Sequence, residues 1–494
     1  MVISSPSPQK RWRLILGTAL AAVLVTAGLV TSAQSSSNIV QISQDVFTNG
    51  GSQHQTEVEP GSFAFGNAVV VAYQAGRFNL NGGASDVSWA TSLDGGKHWH
   101  YGNLPGITKY TQELNPFNRA SDPTVTYDAK HKVWLIESLP IIVGGGARPA
   151  MEISISSDGL HWANPVNAGP NLGDSDKTWV NCDDWANSPH FGNCYAEWDS
   201  TATGLVNMST STDGGQTWGP ALNSADSTVG QGGQPQPQPN GNVVVPFYNF
   251  GQLAIGAFTS TDGGQSWGTS TIVAPINMRG VNGGLRALPL PGAGVDGNGK
   301  VFVVWADCSF RTNCSSNDIV FSSSADGTTW AAPAPIPIDP LNSTVDHFIP
   351  GFTVDQNTKG NKAHLALTYY YYPNVNCGPG SCKLDAAIIS SHDGGTSWGA
   401  PTQLAGPIKL GWLPNTSLGR MVGDYVATSI VNGNAFGFLA NAGAPSGNFF
   451  DEALFTNKMG FPDTFGPRYY TPFGLRPVSF PTRHPVRFLP VPAD

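Results

Sequence analysis

Apolar positions along this chain alternate with small or polar ones in short runs, rather than recurring every three or four residues. Asp86–Thr91, Met151–Ile155, Asp318–Ser322 and Ala386–Ile389 are runs of this kind, and a period near two belongs to half-buried strand. A second set follows Gly, Asn or Asp turns and is rich in Val, Leu and aromatics: Asn67–Tyr73, Lys132–Ile136, Asn242–Phe247, Lys300–Trp305 and His364–Thr368. Helix is disfavoured throughout, because 59 Gly and 38 Pro would interrupt most helices.

One short pattern punctuates these runs six times. Four copies are Ser92-Leu-Asp94-Gly-Gly-Lys-His-Trp99, Ser211-Thr-Asp213-Gly-Gly-Gln-Thr-Trp218, Ser260-Thr-Asp262-Gly-Gly-Gln-Ser-Trp267 and Ser391-His-Asp393-Gly-Gly-Thr-Ser-Trp398. Two are a residue shorter, Ser156-Ser-Asp158-Gly-Leu-His-Trp162 and Ser324-Ala-Asp326-Gly-Thr-Thr-Trp330. Asp-Gly supplies the positive backbone angles of a tight turn, and the Asp carboxylate accepts local N–H groups. The Trp then re-enters a strand and packs between sheets. These Asp are therefore structural. Successive Asp lie 64, 55, 49, 64 and 67 positions apart, enough for one four-stranded sheet per repeat.

A seventh copy without the turn pattern starts at Gly419–Tyr425 and continues through Asn434–Leu439 to Glu452–Phe455. The fold class expected is all-β, a β-propeller of seven blades, or of six if two modules share an irregular blade; a β-sandwich is a third choice. The layout is an export signal at 1–33, an N-terminal segment at 34–49, the repeat region at 50–457 and a Pro-rich tail at 458–494.

Composition narrows the function. Charged residues are only 12%, against about 25% in an average domain. Lys10, Arg11 and Arg13 precede the apolar run Leu14–Val30 and the small residues Thr31-Ser32-Ala33, the order of a secretory signal. An uncleaved run of that length would be an anchor at the short limit for spanning a bilayer. Those three cations are the only charges of 1–33, so its removal leaves 22 basic and 34 acidic residues. A nucleic-acid partner wants a basic face, which disfavours that class. Six Cys fall in close pairs, Cys182 with Cys194, Cys308 with Cys314 and Cys377 with Cys382, as local disulfides of an exported chain do. Asp183, Asp184 and Asp199 form the one carboxylate group to weigh for a hard cation, but no contiguous calcium loop is present. No metal and no cofactor are expected, and the chain reads as a monomer.

Polar residues gather where modules open: Glu57 and Glu59; Arg119 and Asp122; Asp174, Asp176 and Lys177; Gln231 and Gln234; Arg286; Asp346 and His347; Arg420, Asp424 and Tyr425. They either form a functional rim or tie neighbouring sheets together.

The repeated Ser/Thr-x-Asp-x-Gly-x-x-Trp boxes resemble the Asp-box, or bacterial neuraminidase, repeats of the sialidase superfamily, over about 400 residues. The resemblance implies a propeller and an exo-acting glycosidase. It also implies a three-Arg clamp for a sugar carboxylate, a Tyr–Glu nucleophile pair and an Asp acid/base. In this chain that assigns Arg119, Arg286 and Arg420 to substrate binding, and Asp122, Glu197 and Tyr425 to catalysis. The N-terminal Phe/Tyr-Arg-Ile-Pro motif of sialidases is absent. The expectation is an exported, sialidase-like glycoside hydrolase acting on terminal acidic sugars. The alternative is a non-catalytic extracellular propeller that binds carbohydrate or protein, with aromatic loops such as Tyr369–Tyr372 as contacts.

Overall fold

The computed structural model describes residues 38–170, 173 and 175–462. The export segment and all but the start of the Pro-rich tail lie outside the described residues. Within them the chain is all-β, with no α-helix and four short 3-10 turns. No helix there is long and apolar enough to cross a membrane.

The strands form antiparallel meanders. The first two run Glu57–Phe65, Ala68–Arg77, Ala84–Ser92, His100–Asn103 and Arg119–Asp128, Val133–Ile141, Met151–Ser156, Val166–Ala168. A single residue pair, Ala84 with Ala120, joins them into one eight-stranded sheet. Four-stranded sheets then open at Ser175–Cys182, Gln236–Pro237, Gly292–Val295 and Asp346–Val354. The last sheet takes Ala427–Val431, Asn434–Ala442 and Glu452–Asn457 from the C-terminal side. Its outer strand is Ile39–Gln41, antiparallel to Glu452–Asn457. Each opening strand packs against the next in chain order, and Ala427–Val431 packs back on Glu57–Phe65.

The six box turns share one geometry, each linking the third and fourth strands of its sheet. In all six the Ser hydroxyl donates to Asp Oδ1 at 2.8–3.1 Å. The same Oδ1 accepts the N–H of the residue before the Trp at 2.7–3.0 Å. The Gly after the Asp sits at φ 71–75° every time, a region where a Cβ is costly. The seventh module lacks a box for a simple reason: its fourth strand comes from the N-terminus, so no such hairpin exists to close.

Box tryptophans pack on the sheet before their own. Trp267 meets Tyr195 at 6.3 Å, Trp398 meets Phe321 at 6.2 Å, and Trp99 of the first sheet meets Phe438 of the last at 5.7 Å. Burial is uneven, however. Trp267 and Trp398 are 4% and 3% exposed, whereas Trp99, Trp162, Trp218 and Trp330 are half-buried.

One expectation fails here. Tyr369–Tyr372 is not a loop but lies in the strand Leu365–Tyr372. Tyr369, Tyr370 and Tyr372 are buried, with the Tyr370 hydroxyl donating to Ala440 O at 2.7 Å and that of Tyr372 to Asn282 O at 3.1 Å. The run therefore builds core instead of offering rings to a ligand. The three disulfides pair as expected, Cys182–Cys194, Cys308–Cys314 and Cys377–Cys382, and such bonds persist in oxidising surroundings.

Candidate functional site

Four opening strands lose register near their start, at Val58/Gly61, Ser121/Thr124, Asp176/Thr178 and Phe348/Gly351. Each break is a bulge that re-aims a side chain. It places one residue in left-handed backbone: Glu59 (φ 60°), Asp122 (φ 47°), Lys177 (φ 41°) and Ile349 (φ 51°). Pro follows Glu59, Asp122 and Ile349, a residue with no ladder N–H to lose. Non-Gly residues persist at such angles when their surroundings over-determine them. At three of these positions the surroundings are ionic.

Lys177 Nζ lies 2.9 Å from Asp122 Oδ1, 2.8 Å from Asp424 Oδ2 and 3.7 Å from Asp176 Oδ1. Arg286 grips Asp424 with two bonds of 2.6 Å, from Nε to Oδ1 and from Nη2 to Oδ2. The Asp424 N–H donates to Glu59 Oε1 at 3.1 Å, and the Gln74 amide donates to Glu59 Oε2. All these side chains are buried. Burial pulls the Lys177 ammonium down, but Asp122, Asp176 and Asp424 together raise it well above its ordinary value. Burial opposes ionised Asp424, yet Arg286 and Lys177 hold it far below the usual carboxylate range. Glu59 is pushed up to about 8 by burial and by Asp122.

The expected site residues are distributed as follows. Asp122 and Arg286 belong to the network just described. Arg420 donates from Nη1 to Leu413 O at 2.6 Å, and its carbonyl accepts the Arg286 N–H at 2.7 Å. Arg119 donates to the Leu80 and Gly82 carbonyls, with its guanidinium 3.9 Å above the Phe78 ring. Tyr425 donates its hydroxyl to Pro123 O at 3.0 Å and meets Trp179 edge-on at 5.5 Å. Burial and then Glu59 raise its phenol well above the ordinary value. Glu197 is fully buried on the strand Cys194–Ser200. Burial and neighbouring Asp199 push its carboxyl well up.

Beside the network a cleft of about 220 Å³ opens between the third and fourth sheets. Asp176 and Asp199 line it, directly opposite each other on paired strands. Gln231 Nε2 donates to Asp176 Oδ2 at 3.0 Å, and the Gly232 N–H donates to Asp199 Oδ2 at 2.9 Å. Burial drives Asp199 well above the ordinary carboxyl value. The same cause raises Asp176, which Lys177 opposes. Tyr248 and Phe250 add aromatic wall. The loop over the carboxylates reads Gly230-Gln-Gly-Gly-Gln234 because it must pass close: a Cβ on Gly233 would lie 2.9 Å from Glu197 Cδ. Asp199 was legible only as a member of a carboxylate group with Asp183 and Asp184. The hairpin separates them, since Asp199 pairs with Asp176 while Asp183 lies past the far end at Cys182. Tyr248 and Phe250 carried no local signal.

Two other clusters bring metal-ligating atoms together among the described residues. In Asp128, Cys182 and Cys194, both sulfurs are spent in a disulfide. In Asp318, Asp339 and His347, the Arg311 guanidinium already bonds both carboxylates, so a cation is in place.

No family model matches the chain, and no curated protein matches it. Solved structures that resemble it include the Hadza microbial sialidase Hz136, at 16% identity and TM-score 0.44, covering 64% of each chain. The intramolecular trans-sialidase from Ruminococcus gnavus, in complex with oseltamivir carboxylate, aligns at 15% identity and TM-score 0.39, covering 81% of this chain and 93% of that one. An ulvan lyase of polysaccharide lyase family PL25 aligns at 13% and 0.45, covering 83% and 96%. Likeness at this level decides nothing about activity.

Proposed function

We propose that this protein is an exported seven-bladed β-propeller that acts on neutral glycans, with Asp199 and Asp176 as its acid/base pair. The propeller reading is supported by the opening strands, which pack in chain order and return from Ala427–Val431 to Glu57–Phe65. Ile39–Gln41 then completes the last blade. Export is supported by the signal-like residues 1–33 and by the three disulfides.

The observation that carries the activity is the cross-strand pair Asp176/Asp199 lining a cleft with Tyr248 and Phe250. Two carboxyl groups of unequal proton affinity are what acid/base glycoside chemistry requires; burial raises both, and Lys177 opposes the rise at Asp176. Asp199, whose protonated form burial favours, gives its proton to the glycosidic oxygen as the bond from that oxygen to the anomeric carbon breaks. Asp176, whose ionised form Lys177 and Gln231 favour, takes a proton from the water whose oxygen forms the new bond to that carbon. The substrate is neutral because, among the described residues, the cleft offers no uncommitted cation: Lys177 faces three carboxylates and Arg286 holds Asp424 bidentately.

A sialidase-type site is the second reading. Its support is the adjacency of the Arg286 and Arg420 backbones, with Tyr425 five residues on. It needs Arg119, Arg286 and Arg420 to converge on a sugar carboxylate and Tyr425 to pair with Glu197 or another acid.

Purified mature chain incubated with aryl β- and α-glycosides of neutral hexoses, and with a sialoside, separates these. Turnover of a neutral glycoside should fall at least ~100-fold in Asp199→Asn, with the melting temperature retained. Turnover confined to sialosides and surviving Asp199→Asn would sink the carboxylate-pair reading. Binding without turnover would leave the non-catalytic propeller.

A further inference from the structure

The opposite ends of the opening strands frame a second and larger cavity. It measures about 590 Å³, within the range of small-ligand pockets. It collects residues from the first, sixth and seventh sheets, together with Asp184 and Trp185 from the segment after Ser175–Cys182. In chain direction this is the far end from Glu59, Asp122 and Lys177, so it shares no residue with the acid/base cleft.

Three features point to a ligand. Asp184 anchors one oxygen, Oδ1, on the Ala129 N–H at 2.7 Å. Its other oxygen, Oδ2, is buried and has no hydrogen-bond partner among the described residues, a state that costs free energy unless something fills it. Trp185 is half-buried, its indole N–H fixed on Pro237 O at 2.8 Å, so the ring is held in place in a cavity that Phe63 also lines. Gln356 lines the same cavity and is half-buried. Among the described residues the lining holds no Lys, Arg or His. An anionic ligand would find no counter-charge, and burial raises the Asp184 carboxyl well above its ordinary range.

We propose that this mouth is a binding site for a neutral saccharide, which lies against Trp185 and Phe63 and takes hydrogen bonds from Asp184 and Gln356 to its hydroxyls. Sugars present C–H faces that suit aromatic rings and hydroxyl pairs that suit carboxyl and amide groups. An aromatic wall flanked by a few convergent polar groups matches that chemistry. The site is independent of the acid/base reading and would hold a chain at the face opposite the cleft.

The test uses the mature chain carrying Asp199→Asn, so that the first cleft cannot turn the chains over, on a glycan array with neutral hexose- and N-acetylhexosamine-ended chains beside sialylated and uronate-ended ones. Neutral chains should bind, and adding Gln356→Ala or Asp184→Asn should weaken them at least tenfold. Calorimetry of the wild-type chain with the strongest neutral array ligand gives a second measurement that does not depend on Asp199→Asn folding. Two sites should fall to one in Gln356→Ala. The proposal is overturned if no neutral chain binds, if Gln356→Ala and Asp184→Asn leave binding unchanged, or if acidic chains bind better. Full turnover retained in Asp199→Asn would instead remove the acid/base assignment and leave this site standing.

Discussion

The box turns and the strand openings are built from the same residue type, aspartate beside a turn-forming neighbour, and they satisfy it in opposite ways. Box aspartates sit at hairpin ends and hold a hydroxyl and backbone N–H groups. His98 bonds Asp94, and the Thr329 N–H bonds Asp326, so both carboxyls fall below the usual range. At the openings, Asp122, Asp176, Asp199 and Asp424 are buried, and each needs a partner from another sheet. A turn carboxylate is satisfied within six residues of itself. An opening carboxylate is satisfied only when Lys177, Arg286, Gln231 or the Gly232 N–H arrives from elsewhere in the chain. Local chemistry makes the turns interchangeable, whereas long-range chemistry makes the openings individual.

The sharpest way to break this contrast is to remove the shared cation. Lys177→Met leaves Asp122 and part of Asp424 uncompensated in the interior, a loss of about 3–5 kcal/mol for a buried pair broken from one side. Asp262→Ala removes a partly exposed turn carboxylate and should cost about 1 kcal/mol. Urea unfolding of the two variants compares them directly. Equal losses would show that the network at the openings is no more demanding than a surface turn.

Within the turns themselves the tryptophans grade the effect. Trp267→Ala empties a buried site against Tyr195 and Phe258 and should cost about 3–5 kcal/mol. Trp218 is half-buried and its replacement by Ala should cost clearly less. The same motif thus gives two stabilities, because the sheet beneath it covers one ring more fully. Matching melting temperatures for the two variants would mean that burial does not set the difference.

The same distinction explains what was legible in the sequence. Six turns, their strands and the module lacking a box followed from short-range rules: Asp-Gly angles, alternation and spacing. Even the missing box has a local meaning once Ile39–Gln41 supplies the last strand. The residues at module openings were also visible, as polar groups in a chain with little charge. Their partners were not. Nothing near Asp424 in sequence announces that Arg286 and Lys177 will meet it, and nothing near Asp176 announces Asp199 until the hairpin register is known. Tyr369–Tyr372 misled for the same reason, since a run of four aromatics reads alike in a loop and in a buried strand.

The remaining expected effect is one of pH, and it lies where the two kinds of chemistry meet, at the strand that closes the last sheet. Glu57 opens the first sheet, accepts the Ser43 hydroxyl and the Leu454 N–H, and so links residues near Ile39–Gln41 to Glu452–Asn457. Burial, and to a lesser degree Asp45, pushes its carboxyl up to about 8, from 4.5 ordinarily. Below about pH 4.5 both folded and unfolded chains carry this proton, and its contribution to stability is fully present. Between 4.5 and 8 the folded chain retains a proton that the unfolded chain has released, so stability falls as pH rises and the contribution is gone above 8. The melting temperature should therefore decline from pH 5 to 8.5. Glu57→Gln, neutral at every pH, should make that decline shallower without abolishing it, because Glu59 titrates in the same direction. A variant whose pH profile overlays that of the wild type would show that Glu57 is already ionised in the folded chain, and that the closure is held by strand pairing alone.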